Sequence, residues 1–282
     1  MNPTFPAPSR LHQALPDLAA WSAHFQRAPL PVLDDTALRL EELRAVEDAL
    51  DAHLIAQALA HDPLMTLKLL AHVAGVRSAR RCADPETLTS ALVLLGVAPF
   101  FRAFGPQPTV VAALADLPQA LAGLQAVLAR AHRAAGFALG FAVHRMDPDA
   151  PVLHAAALLH DFAEMLLWLH APALALRIAQ AQRADPALRS ATAQRAVLHI
   201  ELADLQQALL RAWHLPELLV QIEDDRHADT AQVRNVTLAV RFARHSALGW
   251  DNAAIDDDVR DIAALLNLGE APTRKLLLEL DG

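Results

Sequence analysis

The chain has 282 residues, 54% of them hydrophobic but only 5% aromatic, and a formal net charge of −8. That balance excludes recognition of nucleic acid through its phosphates, which needs clustered Lys and Arg. A lone cysteine, Cys82, excludes an internal disulfide framework and suits a reducing compartment.

Much of the apolar content is alanine, and there are 9 glycines and no tyrosine. Alanine loses no side-chain entropy in a helix, so helix is expected throughout. Met1 to Pro8 has no basic stretch followed by an apolar one, and no signal peptide is expected. No apolar run approaches the roughly 18 to 20 uninterrupted residues of a membrane span. A soluble, cytoplasmic protein without a membrane partner is therefore expected.

Residues 1–30 are rich in proline, with Pro3, Pro6, Pro8, Pro16 and Pro29, and Pro31 follows. They read as an extended arm with one short helix around Leu18 to Phe25. A first helical subdomain is expected over 31–117. Asp34 and Asp35 can cap a long helix running through Leu38, Leu43, Val46, Leu50, Leu54 and Leu59. Asp62-Pro63 opens the next helix, and Asp84-Pro85-Glu86 another that stops at Gly96. Between them, Arg77, Arg80 and Arg81 read as a solvated loop rather than a phosphate site. Breaks follow at Gly105 to Pro108 and at Asp116 to Pro118.

A second helical subdomain is expected over 118–282. Its first helix runs to about His144, and Asp147-Pro148-Asp149 separates it from a helix over 152–169 that is apolar nearly all round. A helix with no polar face belongs in the centre of a bundle. Further helices are expected at 188–212, 216–226, 231–247, 256–266 and 270–280. The fold class is thus all-α, about a dozen helices in two packed bundles.

Within the apolar segment stands Leu158-Leu159-His160-Asp161. Adjacent His and Asp offer a nitrogen and an oxygen donor, enough to begin a metal site but not to complete one. A buried carboxylate must in any case find a partner. Cys82 reads as an ordinary small residue rather than a reactive thiol. No Ser-His-Asp arrangement, phosphate-binding glycine loop or dinucleotide fingerprint is present.

Several segments, in order, resemble the HD-related output domain (HDOD) family. Pro29-Leu30-Pro31-Val32-Leu33 is similar to its opening, and Asp62-Pro63-Leu64 with Leu67, Leu69 and Leu70 to its "DPxLxxxLL" segment. Ala91, Leu92, Leu95 and Gly96 follow its "AixxLG" pattern. Ala156 to Asp161 resembles its "GLLHD" helix, and Leu209-Leu210, Trp213, Leu215 and Pro216 its "LLxxWxLP", with His227 after it. The resemblance implies an all-α fold whose second half is HD-like.

HD-superfamily phosphohydrolases hold divalent metal with an upstream His, the His-Asp pair and a later Asp. In this chain His132 stands for the upstream histidine, Leu202 occupies a position where the family has a histidine, with His199 three positions off, and Arg241 aligns with the later aspartate. A guanidinium has no lone pair to donate and repels a cation. The resemblance therefore implies a vestigial cluster of His132, His160, Asp161, His227 and Arg241, with Arg241 within hydrogen-bonding reach of Asp161. It further implies no catalytic residue, no metal and no cofactor. The expected function is signal transduction or scaffolding through a partner protein or small ligand, received at the junction of the two helical sets with the proline-rich arm. The alternative is a metal-dependent phosphohydrolase or cyclic-dinucleotide phosphodiesterase.

Overall fold

A computed structural model describes residues 10–77, 85–224 and 230–281. Cys82, Arg80, Arg81, Asp84 and His227, named above, lie outside the described residues, as do Pro3, Pro6 and Pro8. The described chain is all-α. Helices α1 (Leu18–Phe25), α2 (Asp34–Arg44), α3 (Ala52–Leu59), α4 (Pro63–Arg77), α5 (Leu88–Leu95), α6 (Val97–Ala103) and α7 (Val110–Ala113) precede the long α8 (Pro118–His144). Then come α9 (Ala150–Leu159), α10 (Phe162–His170), α11 (Pro172–Ala184), α12 (Ser190–Leu198) and α13 (Leu202–Ala212). The series closes with α14 (Glu217–Ile222), α15 (Ala231–His245), α16 (Ile255–Leu266) and α17 (Glu270–Asp281). No strand is formed among the described residues; Val32 and Thr109 make an isolated parallel bridge.

The helix count exceeds a dozen because three expected helices are broken and because α6, α7 and α11 form where none was expected. The one expected from Asp34 to Leu59 is α2, a 3-10 turn over Glu47–Ala49, and α3. Asp51 imposes the last restart by accepting the Leu54 N–H at 2.8 Å. The helix expected over 152–169 divides at His160-Asp161 into α9 and α10, and the one over 188–212 divides where His199 adopts φ +67°. At α5 the cap is Thr87, in a reciprocal capping box with Ser90, rather than Asp84. Gly96 ends α5 as expected, with φ +85°.

The division of the sequence at residue 118 follows chain order, whereas each compact unit of the structure takes two chain segments. One unit comprises the chain up to Val127 together with Phe162–Pro216; the other takes Leu128–Asp161 and the chain from Glu217. In the first, the stretch read as an arm is packed from Arg10 onward. Arg10 pairs with Asp116 at 2.7 Å, and Trp21 and Phe25 of α1 are fully buried. The Trp21 indole donates to the Leu198 carbonyl at 3.0 Å. Asp62 caps α4 by accepting the Met65 N–H at 2.9 Å and also accepts the Leu33 N–H at 2.7 Å, so the Asp-Pro pair ties the opening segment to α4. Burial pushes the Asp62 carboxyl up, against the pull of these hydrogen bonds.

In the second unit α15 packs on α9 and α16, and α16 on α17. Phe137 and Phe242 meet edge to face at 4.8 Å in its core. The segment Ala150–His170, α9 and α10 together, reaches the length and mean hydropathy of a membrane span, with Asp161 and Glu164 interrupting its apolar run, and 83% of that window is buried inside the fold. Its apolar surface is thereby accounted for by core packing.

Candidate functional site

The break between α9 and α10 exists at a buried carboxylate. Asp161 follows the C-cap of α9, and its side chain is only 10% exposed. An ion there needs opposite charge and hydrogen bonds. It receives them from its neighbour and from two other helices of the same unit. His160 Nδ1 lies 3.3 Å from Oδ1. Arg244, in the last turn of α15, places Nη2 2.5 Å from Oδ1, and Arg130 of α8 places Nη2 3.5 Å from Oδ2. Burial by itself would raise the carboxyl pKa. Arg244 first, then His160 and Arg130, overcome that and hold it well below the usual range.

Arg241 does not take the role expected of it. Its Nε lies 2.7 Å from Asp258 Oδ1 and its Nη2 2.5 Å from Asp261 Oδ2. His245 Nδ1 adds a contact of 2.7 Å to the other oxygen of Asp258, a residue 1% exposed. The Arg241 guanidinium is pushed down by burial, but Asp261 and Asp258 more than compensate and its pKa is raised. The two arginines sit three residues apart on α15, so one turn of helix serves three carboxylates, Asp161 after α9 and both Asp258 and Asp261 of α16.

The remaining expected residues divide. His160 is beside Asp161, with its side chain 11% exposed. His132 is on the exposed side of α8, while Arg130, two residues earlier, reaches the carboxylate. His227 lies outside the described residues. Leu202 is the buried first residue of α13, its N–H donating to Gln194 Oε1 at 3.0 Å. Trp213 is half-buried, its ring 5.9 Å from that of Phe162.

Sequence reasoning missed Arg130 and Arg244. The available signal was helical register: Val236, Ala239, Val240 and Ala243 belong to the broad buried face of α15, and Arg244 flanks it. The donor set does not suit a divalent cation, since two guanidinium groups approach Asp161 where a cation would have to stand. Among the described residues, no group of three or more His, Cys, Asp or Glu side chains is placed to hold one.

The family model for the HDOD domain matches residues 30–228. No curated protein matches the sequence. Two solved structures share the fold over most of its length. The MmoQ response regulator of Methylococcus capsulatus str. Bath is 19% identical with a TM-score of 0.64, over 88% of this chain and 98% of that one. A virulence factor of Campylobacter jejuni subsp. jejuni is 19% identical with a TM-score of 0.61, over 94% and 93%.

Proposed function

The chain belongs to the HDOD domain family, and from that premise we propose that it is a non-catalytic signal-transduction or scaffold protein that binds a partner protein or small ligand. The observation that carries the reading is the neutralisation of Asp161 by guanidinium groups. Metal-assisted hydrolysis requires an open coordination position and an activated water. Here the carboxylate that would ligate the ion is paired with Arg244 at 2.5 Å and approached by Arg130 at 3.5 Å. The pairing supplies what a metal would otherwise supply, a positive charge against a buried carboxylate, and stands where an ion ligated by Asp161 would have to sit. The signalling part of the reading comes from the family resemblance and agrees with the name of one structural neighbour, a response regulator.

The test is elemental analysis of the purified protein after incubation with Mn, Fe, Zn and Mg salts, alongside a hydrolysis assay with cyclic dinucleotides and nucleotides. No stoichiometric metal and no turnover are expected. One metal ion per chain, with turnover lost in His160→Ala, would replace this proposal with the phosphohydrolase alternative.

A further inference from the structure

Two neighbouring histidines of the first compact unit carry buried nitrogens to which the fold gives no partner. His24 of α1 and His170 of α10 stand with their ring centres 6.4 Å apart and their planes at 80°. Phe25 closes the group, 5.5 Å from the first ring and 5.9 Å from the second. The hydrogen bond of His170 to the Pro29 carbonyl uses Nδ1, because its Nε2 has no partner. His24 Nε2 is buried and unpartnered as well, so no hydrogen bond joins the two Nε2 atoms. A buried polar atom without a partner is costly, and two on adjacent rings point to something shared between them. A proton does not meet the need. Burial pushes both imidazoles toward the neutral form, helped at His24 by the charge of Arg27 and at His170 by that of His24.

We propose that this pair is a two-coordinate site for a soft monovalent metal ion, Cu(I), bound by the Nε2 atoms of His24 and His170. The neutral imidazole is the form that ligates metal. An Nδ1–H held by a backbone carbonyl, as at His170, fixes the tautomer that leaves the Nε2 lone pair available. The separation fits too. Two imidazoles bound end-on to one ion, with metal–nitrogen bonds of about 2 Å, hold their ring centres roughly 6 Å apart. The angle between the planes is no obstacle, since a linear nitrogen–metal–nitrogen axis leaves each ring free to turn about it. The surroundings select the ion. Among the described residues no third His, Cys, Asp or Glu joins the pair, which leaves Zn(II) short of its tetrahedral set. Mg(II) and Ca(II) need oxygen ligands that the Phe25 side does not offer. Arg27 acts on His24 and opposes added positive charge, favouring an ion of one charge over one of two. Bound there, the ion ties α1 to α10. The site lies in the other compact unit from Asp161, so this proposal and the non-catalytic reading fail separately.

Silver nitrate in chloride-free buffer is the first probe, because Ag(I) shares the charge and the linear coordination of Cu(I) and is stable in air. The full chain carrying Cys82→Ser, which removes its single thiol, is titrated and followed by nitrogen-15 NMR of the histidine rings. One equivalent should shift the Nε2 signals of His24 and His170 before those of any other histidine, and should raise the urea midpoint. His24→Gln and His170→Gln should each weaken binding at least about tenfold. His24 is the half-buried member of the pair, so His24→Gln with unchanged helical circular dichroism separates loss of a ligand from loss of the fold. Cu(I) loaded anaerobically should give an X-ray absorption spectrum with two nitrogen neighbours at about 2 Å. Silver affinity that is the same in both variants as in their parent overturns the proposal. So do first shifts at other histidines, or a three- or four-coordinate Cu(I).

Discussion

Acidification from pH 7 to pH 4 should destabilise the protein through one histidine more than through any other. His170, the last residue of α10, is 1% exposed, and its ring centre lies 5.9 Å from that of Phe25 and 6.4 Å from that of His24. Its carbonyl accepts the Leu11 N–H at 2.7 Å, so the residue fastens the beginning of the described chain at two points. Burial first, and the charge of His24 second, push its pKa from 6.5 down to about 4, against a hydrogen bond to the Pro29 carbonyl. Nε2 finds no partner, so a proton placed there has no acceptor.

The folded pKa is below the unfolded one, so between pH 6.5 and about 4 the unfolded chain binds the extra proton. The stability contribution is complete above pH 6.5 and is lost as pH falls through about 4. At roughly 1.4 kcal/mol per pKa unit the loss amounts to about 3 kcal/mol, a large part of a typical domain's stability. Urea unfolding of the wild type and of His170→Gln, followed at half-unit steps of pH, isolates the term from the titration of carboxylates. The wild type should lose about 3 kcal/mol more than the variant between pH 7 and pH 4. Parallel pH profiles, or an NMR titration in which the His170 ring protonates near pH 6.5, would refute the reasoning.

Three further substitutions probe the packing. Arg244→Ala leaves Asp161 buried with Arg130 and His160 as its remaining described partners; because Arg244 is itself 48% exposed, the cost should be about 1–2 kcal/mol by chemical denaturation rather than the larger penalty of a fully buried pair. Arg241→Ala should leave the low pKa of Asp161 in place, measurable by carboxyl NMR, since its partners are Asp258 and Asp261. Gly123→Ala would set a methyl 2.4 Å from the Trp168 ring, and the displaced indole should lower stability by about 1–3 kcal/mol with altered tryptophan fluorescence.

Local chemistry made much of this protein legible in advance. Asp62-Pro63 as a helix start, Gly96 as a helix stop, and the runs at 118–144, 231–247, 256–266 and 270–280 depend on neighbours within one turn, and they appear where the residues place them. The HDOD segments were readable for the same reason, as short strings with internal spacing. The broken helices were not. Whether the backbone continues through His160-Asp161 depends on what the carboxylate meets, and its partners come from Arg130 and Arg244, 31 and 83 positions away. The same holds for the choice between Arg241 and Arg244. Both are arginines on one helix, and only the rotation of α15, set by burying Val236, Ala239, Val240 and Ala243, turns the second toward Asp161 and the first toward Asp258. The sequence by itself determined the helical class, the family and the need for a cation beside Asp161. Which side chain provides it was decided by tertiary packing, because a buried charge is satisfied by whatever the core brings within about 4 Å.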